Sequence, residues 1–170
     1  CSDFIKTVGV TPLMKSLPCS YENFHKVKVR KRNLKNSNFT ETFNEAFDEE
    51  WKDLRERAVF ANGEKSFIPL ENQDNFYIFP IDGYKFMYSN EVQQSGQDFK
   101  IVFDKIFEEF GSEKGNKLIT DLLKFSYTSE NLKEGIHQGA EIIIYNIPYF
   151  YAIRQTTVEN YEELINSLRD

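Results

Sequence analysis

The chain has 170 residues, which is enough for one domain with a full hydrophobic core and too few for two comfortable ones. Hydrophobic residues make up 40% of it, including 16 Phe and 9 Tyr, so the composition excludes a disordered chain, and no apolar run is long enough to span a bilayer. The net charge of −6 is unevenly spread, because residues 1–37 carry eight Lys and Arg against two acidic residues, whereas residues 38–170 are strongly acidic.

The first 37 residues also differ from the rest in pattern. They hold two prolines and scattered apolar residues with no sustained period, which predicts an extended basic arm over residues 1–37, followed by a single domain over residues 38–170. Most of the arm's positive charge lies in one cluster, formed by Lys26, Lys28, Arg30, Lys31, Arg32 and Lys35. Either this cluster is a solvated segment lying on the acidic body, or it contacts nucleic acid or another anionic surface, because phosphate binding releases counterions. The acidity of the body argues against broad contact with a duplex.

The two cysteines, Cys1 and Cys19, fit either a disulfide or a reducing compartment, and His25 and His137 are too far apart in sequence to suggest a metal site. Because the chain begins with Cys1 rather than Met, we expect a proteolytically matured protein. A lipid-modified terminus or a fragment of a longer chain would begin in the same way.

From Asn38 the pattern becomes helical. Large apolar side chains recur every three or four residues and predict an amphipathic helix over residues 38–56 with an acidic outer face; they are Phe39, Phe43, Phe47, Trp51 and Leu54. Arg57 then opens a predicted strand, 57–61, which ends at the turn dipeptide Asn62-Gly63. Apolar runs at 76–80 and 84–89, joined by a turn at Asp82-Gly83, predict a hairpin.

Three helices are predicted next, over residues 99–110, 118–125 and 129–138, with Gly111 ending the first and Gly139 capping the third. Strands at 141–145 and 149–154 follow, and the unbroken isoleucines 142–144 predict a central strand that is buried on both faces. Thr156 and Glu159 match a capping box, which predicts the start of a closing helix. The order of elements predicts an α+β fold with a central, mostly antiparallel sheet and packed helices.

Two charged residues stand out because each opens a strand that is expected to be buried. They are Arg57 and Glu141, and a buried strand rarely begins with a charge unless that charge has a partner or a ligand. The two residues therefore either form a structural ion pair in the sheet, lie at solvated strand ends, or serve a binding site. The sequence holds no Gly-rich phosphate loop, no nucleophile elbow and no zinc signature.

Three stretches carry a resemblance to a known family. The segment Arg57-Ala-Val-Phe-Ala-Asn, the two aromatic runs at 76–80 and 83–89, and the late stretch 132–145 resemble phage-encoded proteins with a mono-ADP-ribosyltransferase-like fold, over roughly residues 57–154. The resemblance implies NAD as the cofactor and Glu141 as the catalytic carboxylate. Gly139 departs from the pattern, because active members usually carry Glu or Gln two residues before that carboxylate.

The resemblance also implies roles for the residues that would bind NAD. Arg57 would grip a phosphate of the dinucleotide, since a guanidinium matches phosphate bidentately. Ser89 would stand in for the central serine of the family, and an aromatic ring such as Tyr77, Tyr84 or Tyr127 would stack on the nicotinamide ring. Glu141 would hold the ribose 2′-hydroxyl and stabilise the positive charge that develops as nicotinamide leaves.

These observations leave three hypotheses for function. The first is a phage protein that binds NAD and modifies a host protein. The alternative is a non-enzymatic, proteolytically matured virion-internal or capsid-associated protein whose basic arm docks on DNA or on a neighbouring subunit. The third is a binder that neutralises a toxin or inhibits the host through the acidic helix 38–56. The expected location is the virion or the host cytoplasm.

Overall fold

The computed structural model describes residues 1–32, 38–47, 54–91 and 95–169. The helices in these ranges are α1 (Ser2–Val8), α2 (Asn38–Phe47), α3 (Leu54–Arg57), α4 (Ser95–Ser126), α5 (Leu132–Gln138) and α6 (Tyr161–Ser167). The strands are β1 (Leu13–Pro18), β2 (Phe24–Lys28), β3 (Val59–Gly63), β4 (Gln73–Pro80), β5 (Lys85–Met87), β6 (Glu141–Tyr145) and β7 (Tyr149–Arg154).

The described strands form one seven-stranded sheet in the order β2-β7-β4-β1-β3-β6-β5. Every neighbouring pair is antiparallel, and helices pack on the sheet, so the predicted α+β fold is confirmed. None of the described helices combines the length and the apolarity that crossing a membrane requires.

The prediction of an extended N-terminal arm is wrong for the described residues 1–32. Strand β1 lies near the middle of the sheet, between β4 and β3, and β2 pairs with β7 at one edge. Helix α1 adds the buried side chains Phe4, Ile5 and Val8 to the core. Elements of five to seven residues cover at most two helical turns, so their apolar residues show no sustained period. The single domain therefore begins before residue 38.

Two predictions about the following strands are also wrong. Arg57 ends α3 rather than opening a strand, and β3 runs on through Asn62 and Gly63, with Gly63 opposite Leu13 of β1. Strands β4 and β5 both exist, but they form no hairpin, because β4 pairs with β1 and β7 whereas β5 pairs with β6. The hydrophobic β4 is buried between two other strands, and a two-stranded hairpin would leave one of its edges exposed.

Local signals in the second half of the chain are confirmed. Gly111 has φ 75° and ψ 175° and interrupts α4, and Gly139 ends α5 in the left-handed conformation. Strands β6 and β7 have the predicted bounds. The closing helix begins later than predicted, because the side chain of Asn160, rather than that of Thr156, accepts hydrogen bonds from the first-turn N–H groups of α6.

Two hydrophobic cores flank the sheet, and β6 contributes to both. Ile142 and Ile144 lie in the larger core with side chains of α1, α5 and α6. Ile143 lies in the smaller core with side chains of α2 and α4. Burial of β6 on both faces is confirmed, although this strand lies next to the edge strand β5 rather than at the centre of the sheet. The predicted helix 38–56 is confirmed as far as Phe47, and Trp51 falls outside the described residues.

Candidate functional site

A cationic groove of about 690 Å³ lies beside the basic cluster. Thirteen of the described residues line it, and of these five are Lys or Arg and none is acidic; the five are Lys15, Lys26, Lys28, Arg30 and Arg32. Leu17, Val27, Val29 and Phe150 are among the apolar residues that line the groove between these charges. Four members of the predicted basic cluster therefore share one concave surface. Lys31 is exposed and is not among the lining residues, and Lys35 falls outside the described residues.

The edge position of β2 explains why its lysines face solvent. Successive side chains of a strand point to opposite faces of the sheet. Val27 lies on the buried face, where it is paired with Phe150 of β7. Lys26 and Lys28 take the alternate positions and remain exposed. The ammonium of Lys26 lies 3.7 Å from the centroid of the Tyr149 ring, an arrangement that a cation–π attraction favours.

Lys15 differs from the other groove cations because it comes from the interior strand β1 and is half-buried. Its Nζ donates a hydrogen bond of 2.9 Å to the carbonyl oxygen of Phe60. Burial and, to a smaller extent, Arg32 lower the pKa of Lys15 to about 8, while the Glu141 carboxylate acts in the opposite direction.

Arg32 is fixed against the C-terminal end of α3, where helix carbonyls lack intrahelical partners. Its backbone N–H donates to the carbonyl of Glu56 at 3.0 Å, and its Nη2 donates to the carbonyl of Arg55 at 2.8 Å. The guanidinium carbon lies 5.0 Å from the centroid of the Phe60 ring. Burial lowers the pKa of Arg32, against the influence of Glu141. These contacts hold one positive charge at the end of the groove next to β3.

Arg154, at the end of β7, positions the loop that forms the rim of the groove. Its Nε donates to the side-chain oxygen of Asn23 at 2.9 Å, and its Nη2 donates to the carbonyls of Cys19 and Tyr21. An ion pair with Asp74 holds the same guanidinium on the β4 side. The Arg154 side chain therefore helps to hold the loop between β1 and β2 on the sheet, together with the hydrogen bonds from the Arg154 N–H to the Asn23 carbonyl and from Cys19 Sγ to the Asn72 carbonyl.

Two aromatic pairs accompany the cations. Tyr21, in the fastened loop, stacks on His25 of β2 with ring centroids 4.2 Å apart, and both residues line the groove. Phe24 is 59% exposed and stacks on Tyr151 at 5.5 Å. Alternation along β2 places Phe24 on the same side as Lys26 and on the opposite side from His25. Within β2, Phe24, Lys26 and Lys28 therefore lie on one side of the strand, and His25 and Val27 lie on the other.

Glu141 lies at the start of β6, opposite Asn62 of β3. The carboxylate of Glu141 is close enough to Lys15, Arg32 and Arg55 to raise the pKa of each against the effect of burial. The Glu141 carboxylate thus lies within electrostatic range of two cations that line the groove, and neither of these was singled out as its partner from the sequence.

The other predicted site residues lie elsewhere. Arg57 is exposed at the end of α3. Ser89 is 1% exposed, and its Oγ accepts a hydrogen bond from the N–H of Glu91. Tyr84 packs edge-on against Phe4 with centroids 5.8 Å apart, next to the larger core. None of the three is among the lining residues of the groove. The NAD-binding roles of Arg57, Ser89 and Tyr84 and the catalytic role of Glu141 stay predictions.

Sequence reasoning missed Lys15 and Tyr21 as groove residues. A signal for Lys15 was present, because it lies two residues from both Leu13 and Leu17, and strand alternation places a lysine on the side that its leucine neighbours bury. Tyr21 had no such signal, since its position depends on the contacts that Arg154 makes with the loop from 133 residues away in sequence.

No described part of the chain groups three or more His, Cys, Asp or Glu residues in a way that could hold a metal ion. Cys1 and Cys19 are free thiols. None of the known protein families, curated proteins or solved structures that were compared with the chain matches it. The chemistry of the groove therefore carries the functional argument.

Proposed function

We propose that this protein binds single-stranded nucleic acid, with the phosphate backbone in the cationic groove. The observation that carries the proposal is that five Lys and Arg residues line one groove, and that none of the described residues lining it is acidic. Each phosphate that such a cation neutralises releases counterions, which favours binding in a way that does not depend on sequence.

The aromatic pairs support a single strand rather than a duplex. Exposed rings such as Phe24 provide surfaces on which unpaired bases stack, and the stacked Tyr21 and His25 offer a second surface inside the groove. Bases in a duplex are already stacked on one another and cannot use these rings. The overall charge of −6 also disfavours the long phosphate contacts of a duplex, whereas a groove of about 690 Å³ limits the contact to a few nucleotides.

This proposal is compatible with a virion-internal or capsid-associated protein that contacts packaged nucleic acid. It differs from the sequence-based hypothesis in one respect. The cations belong to a folded edge strand and its flanking residues rather than to a flexible arm, so that the spacing between charges is set by the sheet.

Fluorescence anisotropy with a labelled single-stranded oligonucleotide of roughly 16 nucleotides tests the proposal. Five phosphate contacts to a single strand predict a slope of about −3.5 for log K against log salt concentration. In a Lys26→Gln, Lys28→Gln double variant we expect the slope to shrink by about 1.4, because two contacts are lost.

The control removes the same charge from an exposed face of α4. Lys105→Gln with Lys117→Gln should leave affinity and salt slope unchanged, since both residues are exposed and far along the chain from the groove. Equal losses in both double variants, or binding that is insensitive to salt, would contradict the proposal. Point substitutions are needed because removing residues 1–32 would take β1 out of the sheet.

An NAD-dependent ADP-ribosyltransferase is the second candidate function. The observation that favours it is the position of the Glu141 carboxylate beside Lys15 and Arg32, since these cations offer a site for the diphosphate of a dinucleotide. With labelled NAD, we expect nicotinamide release by the unmodified protein and by a Glu109→Gln control on the exposed face of α4, and none by Glu141→Gln. Turnover that persists in Glu141→Gln would rule out this catalytic role.

A further inference from the structure

Lys15 is the groove residue whose chemistry differs from simple charge attraction. Lys15 is one of the residues that line the groove, and the hydrogen bond from its Nζ to the Phe60 carbonyl fixes the position of its amine. Around it stand the phosphate-binding cations of the proposed function, Arg32 among them. A molecule that carries a phosphate is therefore drawn to a place where its other functional groups meet this amine.

The surroundings of Lys15 favour a neutral, nucleophilic amine. Burial and Arg32 act together to lower its pKa to about 8, against the opposing effect of Glu141. Roughly one Lys15 amine in ten is then neutral at pH 7, compared with fewer than about one in a thousand for an ordinary exposed lysine. A desolvated lysine with a free electron pair is the type of group that attacks carbonyl carbon.

We propose that Lys15 forms an imine with a phosphate-bearing aldehyde that the groove holds. The ligand class includes the open-chain sugar of an abasic site in a nucleic acid and small phosphorylated aldehydes. The inference rests on the proposed function in one respect, namely that the groove must hold a phosphate.

The reaction balances without an oxidant or a reductant. The electron pair of the neutral Nζ attacks the aldehyde carbon and forms a C–N bond, while the carbonyl oxygen takes up a proton. The resulting carbinolamine loses its hydroxyl group as water, and the nitrogen gives up its proton, which leaves a C=N double bond. Hydrolysis reverses the sequence and regenerates Lys15.

Sodium borohydride tests the inference, because it delivers hydride to an imine and converts it into a stable secondary amine. The probes are a labelled single-stranded oligonucleotide with one abasic site, the same oligonucleotide without it, and pyridoxal 5′-phosphate. Adducts are located by peptide mass spectrometry after reduction at pH 7. We expect adducts on Lys15 at a level roughly a hundredfold above that of any exposed lysine, in line with its larger neutral fraction.

Variants and binding measurements separate the possible results. The Lys15→Arg variant should form no adduct even at oligonucleotide concentrations that saturate its groove. The Lys117→Arg variant, changed at an exposed position of α4, should still form the adduct. The position of the adduct is also determined in the unmodified protein, and that result does not depend on whether any variant folds. Trapping of only the abasic strand, or of only pyridoxal 5′-phosphate, supports the inference and identifies the source of the aldehyde.

Two results would overturn it. Adducts spread over the exposed lysines with none on Lys15 would show that its amine is not the reactive group. Anisotropy that shows binding of the abasic strand without any trapped product would refute the inference and leave the proposed function intact. Failure of every oligonucleotide to bind would count against the proposed function, and trapping of pyridoxal 5′-phosphate would then still support the reactive amine.

Discussion

Replacing Lys15 with Met should change the stability of this protein in a way that depends on pH. The folded state lowers the pKa of Lys15 from 10.5 to about 8. Between these two values the unfolded chain binds more protons than the folded one, so the contribution of Lys15 to stability rises with pH. Below pH 8 the folded state bears the full cost of a charged, half-buried amine.

The size of the effect follows from the shift. About 2.5 pKa units correspond to about 3 kcal/mol at pH 7, as an upper limit. Met has a similar length and no charge, so Lys15→Met removes this cost but also loses the hydrogen bond to the Phe60 carbonyl, which contributes about 1 kcal/mol. We expect the variant to be more stable than the unmodified protein by about 1 to 2 kcal/mol at pH 7 and slightly less stable near pH 10.5.

Urea unfolding of both proteins between pH 7 and 10.5 measures this difference. The other titrating groups cancel in the comparison, because both proteins contain them. Lys117→Met, at an exposed position of α4, is the control and should differ from the unmodified protein by a small amount that is constant between pH 7 and 9. A Lys15→Met difference that stays flat from pH 8 to pH 10 would refute the reasoning, because it would mean that the amine is not desolvated in the folded state.

Three further substitutions probe other parts of the fold. Gly135→Ala should destabilise the protein by roughly 1–3 kcal/mol in thermal unfolding, because the new Cβ would lie 2.7 Å from ring atoms of Tyr88; an unchanged midpoint would contradict this close approach. Asn160→Ala should cost about 1 kcal/mol through loss of the α6 cap, whereas Asn160→Asp should retain most of the stability. Arg154→Lys should both destabilise the protein by about 2 kcal/mol and weaken oligonucleotide binding, because the loop 19–23 loses the hydrogen bonds that the guanidinium donates to it; normal binding would show that these contacts do not shape the groove.

Features that depend on neighbouring residues followed from the sequence. The bounds of β6 and β7 are marked by β-branched and aromatic residues on either side of Pro148. The interruption at Gly111 and the cap at Gly139 reflect a residue that adopts positive φ without strain. The burial of β6 on both faces followed from three consecutive isoleucines, since alternation directs them to both sides of the sheet.

Features that depend on distant partners did not follow from the sequence. Strand β1 lies between β4 and β3, and β4 avoids the nearby β5, because each strand takes the neighbours that bury most of its hydrophobic surface. The groove has the same origin. Lys15 from β1 and the cations of the segment 26–32 line the same groove although β7 and β4 separate β1 from β2 in the sheet. Strands β7 and β4 come from much later in the chain.

The sequence by itself determined the class of fold, the second half of the secondary structure and the presence of a concentrated basic segment, because these are properties of composition and local conformational preference. Only the tertiary structure decided that the basic segment is an edge strand rather than an arm, and that a half-buried lysine stands among its charges. Strand pairing and desolvation arise from contacts between residues far apart in sequence, and no local pattern encodes them.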